Sequence, residues 1–438
     1  MIGAPTIPSD AACVAVYRRL RDGVPRSSSQ IGYGYNLYPP ARAVTDHLDV
    51  VLRACVQTGR IAEYGTHADA GDRELAASLA GAYLGVQVSG EQVVFTHGST
   101  EAINIVTGFL AGCDTSLVLP MPCYYAFEQT TRRLGGEVAA RYRYDGALAT
   151  TGVDTERRAL VEILPNGVTG TVFTRPELDV DFKVLDIVFQ AGGSAQAAAK
   201  VVNQARDLVA GGLDTTAIMM TPAKDMCVPG LRTGILISGY PPLIAAAREE
   251  QFDRTASINP MIGQVVLLYL AVLLLADAER AGGMHAVEQA YAWIRDRFVE
   301  HEVVPVPTWE TCFEIVGHLS EMATHFAHSF TLLNEHTNSL LETGDTLRPM
   351  AGYSLLPRVL APLGDAEKVI AWVNDIGRRH HLKLNPMLLF GGDVSAWESL
   401  YPGQARLRVN LSVPHADLTA SLKLLRYAHA EVSKRGSR

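Results

Sequence analysis

The sequence predicts an α/β protein with a mostly parallel central sheet, accompanied by a smaller α+β domain. Between residues 93 and 222, short apolar strand patterns alternate with helical stretches, as in a parallel sheet that is covered on both faces. The last third of the chain differs, because a long helical region precedes short strand patterns at 352–357, 383–390 and 406–413. Hydrophobic residues make up 48% of the 438 residues, which supplies enough apolar surface for a large core.

The spacing of apolar residues defines the individual elements. Helical spacing predicts helices at 11–21, 41–57, 73–84, 99–112, 124–136 and 417–432, with a largely helical region at 279–345. Apolar runs between them predict strands at 93–98, 116–122, 136–144, 159–165, 183–189 and 217–222. We expect the helix that begins at Ser99 to be capped by Ser99 or Thr100.

Composition and charge limit the possible partners. The formal charge is −8 at pH 7 and there are no basic clusters, so we expect no nucleic acid or membrane partner. The six cysteines form no CxxC pair, which fits a reducing compartment. The N-terminus lacks a signal-peptide pattern, and the most apolar run, Val265–Ala276, is too short to span a bilayer. We therefore expect a cytoplasmic protein in which this run is a buried core helix.

The strongest chemical signal is the turn TPAKDMCVPGLRTG at 221–234. Chemistry in a parallel sheet lies at the carboxyl ends of the strands, and Lys224 follows an apolar strand. Desolvation there frees the amine for Schiff-base chemistry, while Thr221 and Arg232 can hold a phosphate. The alternative is an ordinary lysine in a surface turn.

Two further signals involve anion and cation recognition. Ser99 and Thr100 open a helix directly after a strand, where free N–H groups and hydroxyls form an anion site, although a plain N-cap is the commoner use. Asp186 lies near the end of an apolar strand, where a carboxylate is costly unless it is paired. A protonated heterocyclic nitrogen would be a suitable partner, and the alternative is an aspartate that caps a loop.

Tyr124 and Arg408 complete the set of candidates. Tyr124 follows a strand and can either stack on a flat ring or pack in the core. Arg408, in RLRVNLS, can clamp a carboxylate through two N–H groups or form a structural salt bridge.

The order of these motifs along the chain resembles that of the class I/II aminotransferases, which are pyridoxal-phosphate enzymes of fold type I. The motifs are GSTEA, PxYxxF, PNGVTG, the strand aspartate, TxxK-(x)7-R and the late arginine in RVNLS. The resemblance extends from about Gly34 to the C-terminus, and its most specific part is the spacing from Lys224 to Arg232.

The resemblance implies pyridoxal 5'-phosphate as the cofactor and gives each candidate a role. Lys224 holds the cofactor covalently and later acts as the base at the substrate Cα. Asp186 pairs with the pyridine nitrogen, and Tyr124 stacks on the ring. The residues that bind the cofactor phosphate are Ser99, Thr100, Thr221 and Arg232.

The resemblance also implies the substrate contacts and a homodimer with shared active sites. Arg408 takes the α-carboxylate of an amino-acid substrate, and Gly34 lies in the N-terminal active-site loop. Tyr64 matches a residue that reaches the cofactor phosphate in the partner subunit.

Two departures from the family pattern concern the cofactor's ring oxygen. In PNGVTG, Asn166 matches the family's asparagine only if one residue is inserted. The family's Asp-Glu-x-Tyr reads DIVF at 186–189, so Phe189 replaces the tyrosine that normally donates to that oxygen. These changes favour a family member that has been recruited to another pyridoxal reaction.

A third departure is the segment 299–345, which is longer than the family needs. A lid or substrate-shaping insertion is the preferred interpretation. Its five histidines are His301, His318, His325, His328 and His336. Because they have no acidic or cysteine partner at ligand spacing, no metal site is expected.

The predicted organisation is an N-terminal arm with part of the small domain (1–50), a large cofactor domain (51–295) and a small C-terminal domain (296–438). Two reaction classes stay open: transamination of an α-amino acid, and a β/γ-elimination or replacement that forms a new C–C bond from an S-adenosylmethionine-like substrate. A non-catalytic binding protein with a degenerate site is the third hypothesis. The Ala-, Gly- and Arg-rich composition and the insertion point to natural-product metabolism.

Overall fold

The computed structural model describes residues 30–436 apart from 63–69, 188, 191–192, 256–257, 338, 344–350 and 361–365. The predicted helix at 11–21 and the predicted site residue Tyr64 lie outside the described residues.

An eight-stranded sheet forms the centre of the molecule, with the strand order β1-β8-β7-β6-β5-β2-β3-β4. Its strands are β1 (Val93–Thr96), β2 (Thr115–Pro120), β3 (Val138–Tyr142), β4 (Leu148–Thr150), β5 (Arg157–Ile163), β6 (Phe182–Ile187), β7 (Thr216–Met220) and β8 (Gly234–Ser238). Strands β3, β2, β5, β6 and β7 run parallel to one another, whereas the pairs β3–β4, β7–β8 and β8–β1 are antiparallel. The prediction of a mostly parallel sheet is confirmed.

Helices cover both faces of this sheet because its strands are apolar on both sides. The helices of this part are α1 (Arg42–Gln57), α2 (Ala70–Leu84), α3 (Ser99–Gly112), α4 (Tyr125–Arg133), α5 (Ala195–Val209), α6 (Pro241–Thr255) and α7 (Pro260–Glu300). One core cluster packs α3, α4 and α6 on one face, and the other packs α2, α5 and α7 on the opposite face.

Helix α7 contains the predicted apolar run. It kinks at Gly283, whose φ of 66° interrupts the helical backbone. Among the described residues it is the one helix long and apolar enough to cross a membrane, but 78% of its most apolar 18-residue stretch is buried inside the protein. This burial is typical of the core helix of a soluble protein, as the sequence predicts.

The last third of the chain forms smaller sheets and four helices within the described residues. Its helices are α8 (Trp309–Thr337), α9 (Ala366–His380), α10 (Val394–Leu400) and α11 (His415–Gly436). Its strands are β9 (Leu341–Glu342), β10 (Ser354–Leu355), β11 (Arg358–Val359), β12 (Asn385–Pro386) and β13 (Leu407–Asn410). Strand β13 lies between β10 and β12 in a three-stranded sheet.

Two local predictions were wrong. The predicted strand at 383–390 contributes only Asn385–Pro386 and then turns into a short 3-10 helix, because Pro386 has no N–H to continue a ladder. The cap of α3 is Gly98 rather than Ser99 or Thr100, and no side chain caps this helix.

Candidate active site

Ten of the eleven predicted site residues line one cavity of about 660 Å³. The cavity opens at the carboxyl ends of β5, β6 and β7, where a parallel sheet places its ligands. The ten residues are Gly34, Ser99, Thr100, Tyr124, Asn166, Asp186, Thr221, Lys224, Arg232 and Arg408. Residues from both ends of the chain therefore meet the large sheet at this point.

Asp186 is the acidic residue of the cavity. It lies in β6 between Ile163 of β5 and Met219 of β7, and only 2% of its surface is exposed. Its Oδ1 atom is buried and has no hydrogen-bond partner. Burial raises the pKa of Asp186 to about 7, although the charge of Lys224 acts in the opposite direction. A buried carboxylate in this condition needs a donor, preferably a cationic one.

Lys224 extends from a turn that other groups hold in place. The Thr221 hydroxyl donates to the Thr233 carbonyl at 2.7 Å and accepts from the Ala223 N–H at 3.2 Å. The carbonyl of Lys224 accepts from the Asn36 amide at 2.9 Å. The side-chain nitrogen of Lys224 lies 3.5 Å from the Gly34 carbonyl oxygen, which is a neutral acceptor.

The next residue, Asp225, anchors this turn to the core. It is fully buried and accepts from the Tyr269 hydroxyl at 2.6 Å and from the Gln190 N–H at 2.9 Å. Gln190 in turn accepts from the Tyr83 hydroxyl at 2.9 Å. This network forms no motif in the sequence, because its members are far apart along the chain.

The start of α3 and Arg232 form one end of the cavity. Gly98 has a φ of 79°, and a Cβ at this position would lie 3.3 Å from the Arg232 guanidinium. Arg232 itself has a left-handed backbone, and its Nη2 donates to the His97 carbonyl at 3.3 Å. Ser99 and Thr100 line the cavity beside it. Free N–H groups, two hydroxyls and a guanidinium are suited to a phosphate.

Tyr124 and Asn166 line the wall next to β2 and β5. Tyr124 packs edge-on against Tyr125, with ring centroids 4.8 Å apart. The Asn166 amide donates to the Pro122 carbonyl at 2.6 Å, and its Oδ1 accepts from the N–H of Val168 at 3.0 Å. One N–H of the Asn166 amide therefore remains for a ligand.

Phe189 both lines the cavity and packs in the core. Only 3% of its surface is exposed, and its ring centroid lies 5.4 Å from that of Tyr353 and 6.4 Å from that of Phe326 on α8. Tyr353 brings a phenol to the side of Phe189, and the Lys224 ammonium lies 5.8 Å from the centre of its ring. The 299–345 segment thus packs, through Phe326, against a residue that lines the cavity.

Arg408 is buried without an acidic partner among the described residues. Its Nη2 donates to the Ser354 hydroxyl at 2.7 Å and to the Gly34 carbonyl at 3.4 Å. The guanidinium also lies over the rings of Phe390 and Tyr353, with 5.5 and 6.0 Å to the centroids. Burial lowers the pKa of Arg408. A buried guanidinium with only neutral partners is suited to bind a carboxylate.

Several other cavity residues were missed in the sequence. They are Tyr33, Tyr35, Tyr353, Ser354, Lys383 and Asn385. The QIGYGYN motif at 30–36, with tyrosines two residues apart, was a visible signal for the first two. The other four become neighbours only through the pairing of β10, β12 and β13.

These residues fit pyridoxal 5'-phosphate. The partnerless Oδ1 of Asp186 suits a pyridine N–H, and Lys224 supplies the amine that the cofactor aldehyde requires. The Arg232 end suits its phosphate. The fold and the site thus define a pyridoxal-phosphate-dependent enzyme of fold type I.

Comparison with known proteins identifies the family. The family model for aminotransferase class I and II matches residues 28–337, and the chain belongs to this family. Its members use pyridoxal phosphate as their cofactor.

Individual relatives are distant. The chain is 29% identical over 189 residues to 1-aminocyclopropane-1-carboxylate synthase 5 of Oryza sativa subsp. japonica, a match that covers 36% of this chain and 34% of that protein. A double mutant of the aspartate aminotransferase from Thermus thermophilus superposes with a TM-score of 0.64 at 17% identity, covering 96% of this chain and 97% of the other. BacF from Bacillus subtilis superposes with the same TM-score at 13% identity, covering 94% and 93%. At these identities, the two structures support the fold alone.

Proposed function

We propose that this enzyme removes the proton from Cα of an α-amino acid and that its reaction is a transamination. The observation that carries the proposal is the partnerless Oδ1 of Asp186 in a cavity that also receives Lys224 and Arg408. Asp186 supplies an acceptor for a pyridine N–H, Lys224 an amine, and Arg408 a clamp for a carboxylate. Together they meet the needs of cofactor and substrate.

Each group has a separate task in this proposal. Arg408 holds the α-carboxylate through its guanidinium N–H groups and so orients Cα toward Lys224. The Lys224 amine takes the proton from Cα. The bound cofactor supplies an electron sink for the Cα electron pair. Asp186 keeps the pyridine nitrogen protonated, which maintains that capacity.

The remaining predicted residues hold the cofactor. Arg232, Ser99 and Thr100 bind the phosphate, and Tyr124 packs on the ring. The Thr221 hydroxyl already donates to the Thr233 carbonyl, so a phosphate contact through this donor requires that bond to be exchanged. The remaining N–H of Asn166 serves the cofactor's ring oxygen.

We propose that the enzyme works as a cytoplasmic homodimer with shared active sites. Leu52, Val56 and Ile61 leave 45%, 54% and 54% of their surfaces exposed, directly before the segment that contains Tyr64. Exposed apolar side chains within a short stretch of chain are consistent with an interaction surface. A second copy of the chain is the expected occupant, since C2 dimers are the commonest oligomers. Natural-product metabolism remains the proposed setting.

Trapping the cofactor on the enzyme tests the role of Lys224. Borohydride reduction of the purified yellow protein should fix the cofactor to the peptide that contains Lys224. Lys224→Ala should bind the cofactor without a reducible bond, whereas Lys200→Ala, at an exposed position on α5, should behave like the wild type. A reducible adduct at the active site of Lys224→Ala would overturn the assignment.

A turnover count distinguishes transamination from its rival. Without an amino acceptor, a transaminase releases one 2-oxo acid per active site and stops, and a 2-oxo acid acceptor restores turnover. An eliminating or replacing enzyme turns over continuously without an acceptor. The partial match to a 1-aminocyclopropane-1-carboxylate synthase favours that second candidate. Binding of amino acids without any product would instead support a non-catalytic protein, against which the presence of Lys224, Asp186 and Arg232 argues.

A further inference from the structure

The charges of the cavity wall do not balance. Four cationic side chains line it, namely Lys224, Arg232, Lys383 and Arg408. Among the described residues that line the cavity, Asp186 is the one acidic side chain. Because unpaired cations in a partly enclosed cavity attract anions, this cavity is suited to ligands that together carry several negative charges.

The proposed function accounts for three of these cations. Arg232 would hold the cofactor phosphate, Lys224 would hold the cofactor through its aldehyde, and Arg408 would hold the substrate α-carboxylate. Lys383 has no counterpart in this set. No carboxylate of the described residues forms an ion pair with it, and its ammonium lies 5.6 Å from the ring centre of Tyr33.

Lys383 belongs to the same wall as Arg408. Asn385 of β12 is the Cα partner of Arg408 in β13, so the two residues lie directly opposite each other. Lys383 precedes Asn385 by two residues, so their Cα atoms are at most about 7 Å apart. All three line the cavity. A ligand held by Arg408 therefore extends toward Lys383 with a chain of a few carbon atoms.

We propose that Lys383 binds a second anionic group, a carboxylate or a phosphate, at the end of the substrate's side chain. This inference rests on the proposed function and specifies its substrate class, an amino acid with an acidic side chain. It disfavours a sulfonium substrate, whose positive charge Lys383 would repel. Tyr33 and Tyr35 stack with centroids 5.4 Å apart, and they form the aromatic side of this recognition site.

Paired ligands test the proposal on the holoenzyme. Dissociation constants are measured from the cofactor absorbance for L-glutamate against L-glutamine, L-aspartate against L-asparagine, and O-phospho-L-serine against L-serine. The wild type should bind the anionic member of at least one pair about tenfold or more tightly than the neutral member, as expected for one charged hydrogen bond. The pair with the largest ratio distinguishes a carboxylate from a phosphate.

Substitution of Lys383 separates charge recognition from a structural role beside Tyr33. Lys383→Met keeps the apolar stem and should abolish the preference while changing the affinity for neutral amino acids by less than about twofold. Lys383→Arg should retain the preference, and Lys200→Met is the matched control. Equal weakening of anionic and neutral ligands in Lys383→Met, or no preference in the wild type, would overturn the proposal.

The two hypotheses fail in different ways. If neutral amino acids change the cofactor spectrum but anionic ones have no advantage, the role of Lys383 is wrong and the proposed function stands. If no amino acid changes the spectrum, the proposed function is wrong and the inference about Lys383 falls with it. Tighter binding of S-adenosylmethionine than of any anionic amino acid would also overturn the inference.

Discussion

At the residue scale, the burial of Asp186 affects both the stability of the protein and its proposed function. Burial raises its pKa to about 7, whereas an unfolded aspartate titrates near 3.8. Asp186 therefore stays protonated to a higher pH in the native state than in the unfolded chain. The stability that this group contributes is present at low pH and is lost as pH rises toward and through 7. In the cofactor-free protein, we expect Asp186→Asn to raise the free energy of unfolding at pH 8 by up to about 4 kcal/mol.

The cofactor should reverse the sign of this effect. A pyridine N–H gives the Asp186 carboxylate the partner that it lacks, so Asp186→Asn should weaken cofactor binding. Urea unfolding of both proteins at pH 5 and pH 8, with and without the cofactor, measures both effects. A cofactor-free Asp186→Asn protein that is less stable than the wild type at pH 8 would contradict the pKa argument.

Phe189 stands where the resemblance to the family leads us to expect a tyrosine. Phe189→Tyr should add a donor toward the cofactor's ring oxygen and shift the pH titration of the bound cofactor's visible absorbance. A hydrogen bond to a charged group contributes about 1.5–3 kcal/mol, so the shift should be of order one pH unit. Phe326→Tyr, in the same aromatic cluster but outside the cavity lining, is the control. Superimposable titrations of wild type and Phe189→Tyr would mean that residue 189 serves only the core.

At the element scale, α1 carries a pH-sensitive group. His47 is 6% exposed, and burial lowers its pKa from 6.5 to about 4. The unfolded chain takes up this proton first, so stability should fall as pH drops from 6.5 toward 4. Between pH 7 and pH 4.5 this one group should cost about 2–3 kcal/mol of unfolding free energy.

Variants isolate this contribution. His47→Leu should lose that part of the pH dependence, whereas His285→Leu, at an exposed position on α7, should keep the wild-type slope. The midpoints of urea unfolding at pH 7 and pH 4.5 measure this pH dependence. Parallel slopes for wild type and His47→Leu would show that His47 is not the titrating group.

The elements also show what could be predicted from sequence and why. Lys224 and Asp186 were singled out because each lies in or just after a strand that reads locally as apolar, and Arg232 because of its spacing from Lys224. Lys383 and Tyr353 were missed because their place depends on strands that pair across long stretches of chain. Asn385 lies opposite Arg408 only because a two-residue strand, ended by a proline, happens to pair there. A short pattern of this kind contains no periodicity to detect.

The caps and hydroxyls illustrate a second limit. Thr221 was assigned to the phosphate by resemblance, but its hydroxyl also holds the turn by donating to Thr233. Ser99 and Thr100 looked like helix caps, but Gly98 takes that position through a left-handed backbone. Sequence identifies a donor, whereas the competition among its acceptors is decided by tertiary structure.

At the scale of the whole molecule, the proposed homodimer predicts complementation between two inactive variants. Lys224→Ala removes the amine of a subunit's own site, and Tyr64→Ala removes the contact to its partner's site. A hybrid dimer then contains one site with both defects and one intact site. Random mixing should restore about a quarter of wild-type activity, because half of the dimers are hybrids and each has one intact site.

Sedimentation of the 47.3 kDa chain supplies the control for assembly. A fully active monomer would refute the dimer. A dimer whose mixed variants regain no activity would show that the two active sites are independent.

The carbonyl of Gly34 gives the N-terminal arm a role of its own. It accepts from the ammonium of Lys224, from the hydroxyl of Tyr353 at 3.1 Å and from the guanidinium of Arg408. A carbonyl has two lone pairs, so three donors share it imperfectly. In the proposed reaction, two of those donors must turn to the cofactor and the substrate. The Gly34 carbonyl therefore competes with the ligands for these donors, and a ligand that takes a donor weakens the attachment of the N-terminal arm. By thermodynamic linkage, a change that detaches the arm should strengthen ligand binding by the factor by which the ligand weakens the attachment.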